Sequence, residues 1–158
     1  MSGIDNCTTA PGEGLARRPV VLFACIHNSG RSVAAKILTE YLTRGRVDVR
    51  SAGSEPGSSV NAVIADVLAD CGLSTAHELP TLLTDELVGA VDVVVTMGCG
   101  ETCPYFPGKR YLDWEVGDPA GQNRASVTRI VVDIEQRVRK LLAELGVEPI
   151  TNDAVIAP

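Results

Sequence analysis

Long apolar runs are missing from this 158-residue chain, and none approaches the roughly 18 residues that a membrane-spanning helix needs. The N-terminus has no basic segment followed by an apolar one, so the expected compartment is the cytoplasm. A basic excess is missing too. Fourteen Lys and Arg stand against 20 Asp and Glu, a formal net charge of -6. That balance excludes nucleic acid or a membrane surface as the main partner, because both demand a basic face. A small anion is not excluded, since backbone N–H groups and one or two arginines can hold it locally. Paired CxxC motifs are absent as well. The five cysteines, Cys7, Cys25, Cys71, Cys99 and Cys103, are odd in number, and their spacing suits neither a disulfide scaffold nor a zinc site. No metal is expected. In a reducing compartment, cysteines close to one another point to catalysis or redox chemistry.

What is present is apolar residue in quantity. At 45% hydrophobic, the chain can bury one core and is too short for two. Residues 1–18 read as a flexible N-terminal arm, 19–147 as the domain and 148–158 as a C-terminal tail. "VVLFAC", residues 20–25, has the continuous apolar character of a strand buried on both faces. Val33, Ala34, Ile37, Leu38, Tyr41 and Leu42 then repeat at helical spacing up to Arg44, where Gly45 closes the helix. "VDVRSAG" from Val47 is a second strand, and Val60 to Cys71 a second helix capped by Ser58 or Ser59. Thr84 and Asp85 open a short helix ahead of the strand "VDVVVTM", residues 91–97. Lys109 to Trp114 reads as a fourth strand. The strongest period runs from Val127 to Leu145, with Ser126 as its expected cap and Gly146 as its stop. Strands alternating with helices predict an α/β fold: a parallel sheet with helices on both faces. In such a sheet, sites form beyond the carboxyl ends of the strands. Cys25 ends one strand, and Cys99 follows another by two residues.

The stretch "CIHNSGRS", residues 25–32, concentrates the chemistry. Between Cys25 and Ser32 the chain leaves a strand and enters a helix, so backbone N–H groups and the positive end of the helix dipole share one concavity. Ile26, His27, Asn28, Ser29, Gly30, Arg31 and Ser32 are therefore the expected oxyanion-binding residues. Arg31 adds a planar two-pronged donor, and Ser32 can donate to the Cys25 thiolate.

"CIHNSGRS" resembles the phosphate-binding loop of the low-molecular-weight protein tyrosine phosphatase superfamily, and more narrowly that of the arsenate reductases built on the same fold. "SAG" at 51–53, "VDVVVTMG" at 91–98, "GDPAG" at 117–121 and "IEQRVRKLL" at 134–142 extend the likeness over about residues 19–147. The resemblance implies a four-stranded parallel sheet in the order 2-1-3-4. It also implies Cys25 as nucleophile, Arg31 as oxyanion holder and Asn28 as a brace within the loop. Asp118 stands in for the family's general acid. A proton donor is needed where hydroxide or alkoxide leaves, and Pro119 restricts Asp118 to an extended backbone.

A phosphatase finishes its cycle with water, whereas reducing arsenate moves two electrons and needs further thiols. "MGCGETCP" supplies Cys99 and Cys103. In the thioredoxin-coupled branch that this resembles, the first bonds to the nucleophile and the second carries the disulfide outward. Ala120 and Gly121 follow Asp118 and Pro119, where phosphatases of this fold place aromatic residues, so an aryl phosphate fits poorly. The implied substrate is arsenate. No tightly bound cofactor is expected, only an external thiol reductant: thioredoxin, or mycothiol with mycoredoxin. The oligomeric state is left open between monomer and homodimer. Lys36 occupies a position where several family members carry a potassium-binding glutamate, and it reads either as a substitute for that cation or as a solvated lysine. Asp113 and Glu115 are weaker candidates for the acid. His27 reads as structural, His77 as a surface residue, Trp114 as packing and Cys71 as core.

Overall fold

The computed structural model describes residues 17–98 and 105–157. Strand β1, Val20–Cys25, is buried along its whole length because it lies inside the sheet. On one side it pairs in parallel with β2, Asp48–Gly53, from Val20 opposite Asp48 to Cys25 opposite Gly53. On the other it pairs in parallel with β3, Val93–Thr96, which pairs in turn with β4, Arg110–Asp113. The order is β2-β1-β3-β4, the expected 2-1-3-4, and every neighbour is parallel.

Alternation along the strands builds two cores. Val21, Phe23 and Cys25 face one layer, made with α1 (Arg31–Thr43), α2 (Ala62–Asp70) and α4 (Arg124–Leu145). Val20, Leu22, Ala52 and Val94 face the other, where Val88 of α3 (Asp85–Gly89) covers them. The continuous apolar run of β1 is thus two period-two patterns interleaved, one for each layer.

Two helix starts differ from expectation. Helix α2 is capped by Asn61, not Ser58 or Ser59: Oδ1 of Asn61 accepts from the N–H groups of Val63 and Ile64 at 2.9 and 3.0 Å. Helix α4 is capped by Asn123, not Ser126, whose own N–H donates to the Asn123 side chain at 2.9 Å. In each case a short amide reaches back to N–H groups that have no intrahelical acceptor. At the end of α1 the left-handed turn begins at Arg44 and continues through Gly45, whereas Gly146 ends α4 as expected.

Both ends of the described chain are tied to the body. Arg17 pairs with Asp92 at 2.7 Å. Beyond residue 147 the chain lies against α4, where the buried carboxylate of Glu135 accepts from the N–H groups of Val155 and Ile156 and Ile156 enters the core. Among the described residues no helix is long and apolar enough to cross a membrane.

Candidate active site

Cys25 is the last residue of β1 and only 2% exposed. The loop after it is shaped by where its carbonyl groups go. Those of Cys25, Ile26, His27 and Ser29 accept from the N–H groups of Ser54, Glu55, Gly57 and Asn61 at 2.7–3.2 Å. With the carbonyls turned toward that segment, the N–H groups of His27, Ser29, Gly30, Arg31 and Ser32 make no hydrogen bond among the described residues. The loop sits directly on β2. A Cβ at Gly53 would stand 2.5 Å from the Ile26 carbonyl oxygen and 2.8 Å from the Asn28 nitrogen, so only glycine permits the approach.

Helix α1 differs from the other three in having no side-chain cap, and its first turn carries no acidic residue. Its unsatisfied N–H groups and the positive end of its dipole are left for an anion. Arg31 stands beside them, half-buried, and its guanidinium pairs with no carboxylate among the described residues. Cys25, His27, Ser29, Gly30, Arg31, Asn61, Asp118, Pro119 and Ala120 line one cavity of about 40 Å³. At roughly 10–15 Å³ per water-sized group, that space suits a small oxyanion.

A chain of donors ends on the cysteine. The Thr81 N–H donates to Oδ1 of Asn28 at 2.8 Å, which fixes the orientation of that buried amide. Nδ2 of Asn28 then donates to Oγ of Ser32 at 2.8 Å, so the Ser32 hydroxyl proton is free to point at Sγ of Cys25, 2.9 Å away. The Asn28 N–H donates to the same sulfur at 3.2 Å. Two donors aimed at one sulfur stabilise negative charge there. Asn28 takes a left-handed backbone, φ 49°, rare outside glycine but tolerated by asparagine.

Across the cavity, Pro119 packs on Gly30, where a Cβ would meet Pro119 Cγ at 2.9 Å. Asp118 is exposed. Its Oδ1 accepts from the Ala120 N–H at 3.0 Å, a turn contact that leaves the second carboxylate oxygen available to the cavity.

Residues 20–150 match the family described as low molecular weight phosphotyrosine protein phosphatase. The chain belongs to that family. Among solved structures, a thioredoxin-dependent arsenate reductase of Corynebacterium glutamicum is 38% identical with a TM-score of 0.74, over 85% of this chain and 65% of that one. The present chain thus spans just under two thirds of that relative. An arsenate reductase from Archaeoglobus fulgidus is 34% identical with a TM-score of 0.67, over 78% of this chain and 98% of that one. The glutaredoxin arsenate reductase of Synechocystis is 27% identical over 129 residues, 80% of this chain and 98% of the relative.

Cys25 and Arg31 of one loop thus meet Asp118, far from both in sequence, at one cavity. Cys99 and Cys103, and also Cys7, lie outside the described residues. Lys36 is half-buried and paired: its ammonium lies 2.9 and 3.0 Å from the two Glu78 oxygens and 3.8 Å from Glu40. Burial, partly offset by Lys36, holds the Glu40 carboxyl above its ordinary value. Asp113 accepts from the Thr96 hydroxyl at 2.8 Å, and Trp114 packs 5.6 Å from Phe23. Nδ1 of His27 lies 2.9 Å from the Glu55 carbonyl oxygen, while His77 is exposed and Cys71 half-buried at the end of α2. Among the described residues no cluster of three or more His, Cys, Asp or Glu is placed to hold a metal.

Sequence reasoning missed three contributors. Asn61 caps α2 and also lines the cavity, and the signal for it was an asparagine immediately before an apolar helix. Thr81 acts through its backbone N–H, which carries no sequence signal. Gly98 acts through the side chain it lacks, which leaves room for the Arg31 guanidinium.

Proposed function

We propose that this protein reduces arsenate to arsenite in the cytoplasm, with Cys25 as nucleophile, Cys99 and Cys103 as a disulfide relay, and thioredoxin as reductant. The observation that carries the reading is the small cavity in which N–H groups and an Arg31 guanidinium, without acceptor or carboxylate partner among the described residues, surround a hydrogen-bonded Cys25 sulfur. Similarity to two arsenate reductases at 38% and 34% identity supports the substrate.

Arsenate occupies the loop with its charge on the N–H groups and the Arg31 guanidinium. Sγ of Cys25 attacks arsenic while Asp118 gives a proton to the departing oxygen, which leaves as water. The Cys99 thiolate attacks Sγ of Cys25. The sulfur–arsenic bond breaks with its electron pair on arsenic, and As(V) becomes As(III) as arsenite departs. Two thiols become one disulfide, which balances the two electrons. Cys103 then attacks Cys99, frees Cys25 and holds the disulfide for thioredoxin.

Arsenite formation by the full chain is to be followed with thioredoxin and its reductase, with mycothiol and mycoredoxin, and beside hydrolysis of an aryl phosphate. Arsenite production sustained by thioredoxin supports the reading. Turnover with mycothiol alone assigns the reductant otherwise, and brisk aryl phosphate hydrolysis without arsenite overturns the substrate.

A further inference from the structure

We propose that the side-chain amide of Asn61 is a substrate-binding group, a donor to the bound oxyanion supplied from outside the loop of residues 25–32. The inference rests on the oxyanion reading of the cavity and adds a residue to it. Two contacts fix Asn61 in place. Its Oδ1 accepts from the N–H groups of Val63 and Ile64 at 2.9 and 3.0 Å, at the start of α2. Its own N–H donates to the Ser29 carbonyl at 2.7 Å, which ties the cap to the active-site loop. Backbone N–H groups only donate, so the side-chain atom facing them is the oxygen, and the planar amide then has its nitrogen fixed as well. That Nδ2 makes no hydrogen bond among the described residues.

Asn61 is half-buried and lines the cavity of Cys25, Arg31 and Asp118. Helix α2 is held close to the loop here: a Cβ on Gly30 would stand 3.7 Å from Ile64 Cγ1 as well as 2.9 Å from Pro119 Cγ. Among the described lining residues, Asn61 carries the one side-chain amide. The amide of Asn28, by contrast, is engaged at both ends, by the Thr81 N–H and by Ser32. An oxyanion in the cavity gives Nδ2 the acceptor it lacks, and a donor already held in place binds it at small entropic cost. Capping does not require this position. Asn123 caps α4 through the Ser126 N–H at 2.9 Å and is not among the lining residues.

The test separates the cap from the donor. Serine and aspartate cap helices about as well as asparagine, but serine has no second polar atom and aspartate puts an oxygen where Nδ2 stands. Arsenate binding is to be measured by calorimetry on the full chain carrying Cys25→Ser, which does not turn over, with urea unfolding of the same samples. Asn61→Ser is expected to bind about 10-fold more weakly, with stability little changed, as for loss of a hydrogen bond to a charged group. Asn61→Asp should bind more weakly still, because a carboxylate oxygen then faces the anion. Asn123→Ser takes an equivalent amide from α4 and should leave affinity within about 2-fold of the parent. With Cys25 restored, Asn61→Ser should raise the KM for arsenate by a factor similar to its loss of affinity. Parent-like affinity in folded Asn61→Ser, or a loss that Asn123→Ser shares, overturns the proposal and leaves Asn61 a cap. Should Asn61→Ser fail to fold, undiminished binding by Asn61→Asp, whose charge suits a helix start, overturns it equally. A parent that binds no arsenate removes the oxyanion reading of the cavity, and the proposal with it.

Discussion

The guanidinium of Arg31 lies against Gly98, two residues past the end of β3: a Cβ placed on Gly98 would stand 2.7 Å from Nη1. Gly98 also takes φ +104°, a backbone that other residues rarely adopt. The residue immediately before Cys99 is therefore the floor on which the oxyanion-binding arginine rests.

Gly98→Ala should displace Arg31 and weaken anion binding. In a Cys25→Ser background, where nothing turns over, calorimetric titration with arsenate is expected to show affinity down about 10-fold or more, as for loss of a charge-assisted two-pronged contact. Arg31→Lys should bring a similar loss, and adding Gly98→Ala to it should cost little more.

Ser32→Ala should slow the chemistry at sulfur without emptying the cavity. The Ser32 hydroxyl is one of two donors to Sγ and is fully buried. Its loss also leaves Nδ2 of Asn28 without its acceptor. Carboxymethylation of Cys25 at pH 7 is expected to slow by about 10-fold, with the unfolding free energy lowered by about 1–3 kcal/mol for the orphaned amide.

Asp118→Asn keeps the shape of the turn and removes the proton. Formation of the first adduct, followed by rapid quench, is expected to slow by about 100-fold while arsenate affinity stays within a few-fold. A variant that bound poorly but reacted at the wild-type rate would make Asp118 a binding group.

Asp92 gives the stability a defined pH dependence. The Arg17 guanidinium, aided by the Val20 N–H and opposed by burial, holds the Asp92 carboxyl below its ordinary value of 3.8. A carboxylate lowered in the folded state contributes stability above its unfolded value, and that contribution fades as pH falls through the folded value. Asp92→Asn should therefore be less stable than wild type at pH 6, and the gap should close below about pH 4 in urea denaturation. Since Arg17 is largely exposed, Arg17→Ala should cost little stability.

The centre of the sheet was legible because β1 and β3 each carry a short apolar run, and β1 was readable to the residue. The site was legible because Cys25, Arg31 and Ser32 share one strand-to-helix junction. Helix starts were less so. Ser58, Ser59, Asn61, Asn123 and Ser126 are all capping residue types, and the choice among them depends on where the chain is already held. The Asn61 N–H is bonded to the Ser29 carbonyl of the active-site loop, a contact across 32 positions that no local pattern encodes. Thr81 and Gly98 were invisible for a related reason, since one acts through its backbone and the other through absent atoms.

The most direct test of the relay is a single turnover of Cys103→Ser with arsenate and no external thiol, followed by peptide mass spectrometry. About one arsenite per chain should be released, with Cys25 and Cys99 joined in a disulfide, because Cys99 resolves the adduct without help. No arsenite, or arsenite with Cys99 still a free thiol, would contradict the relay.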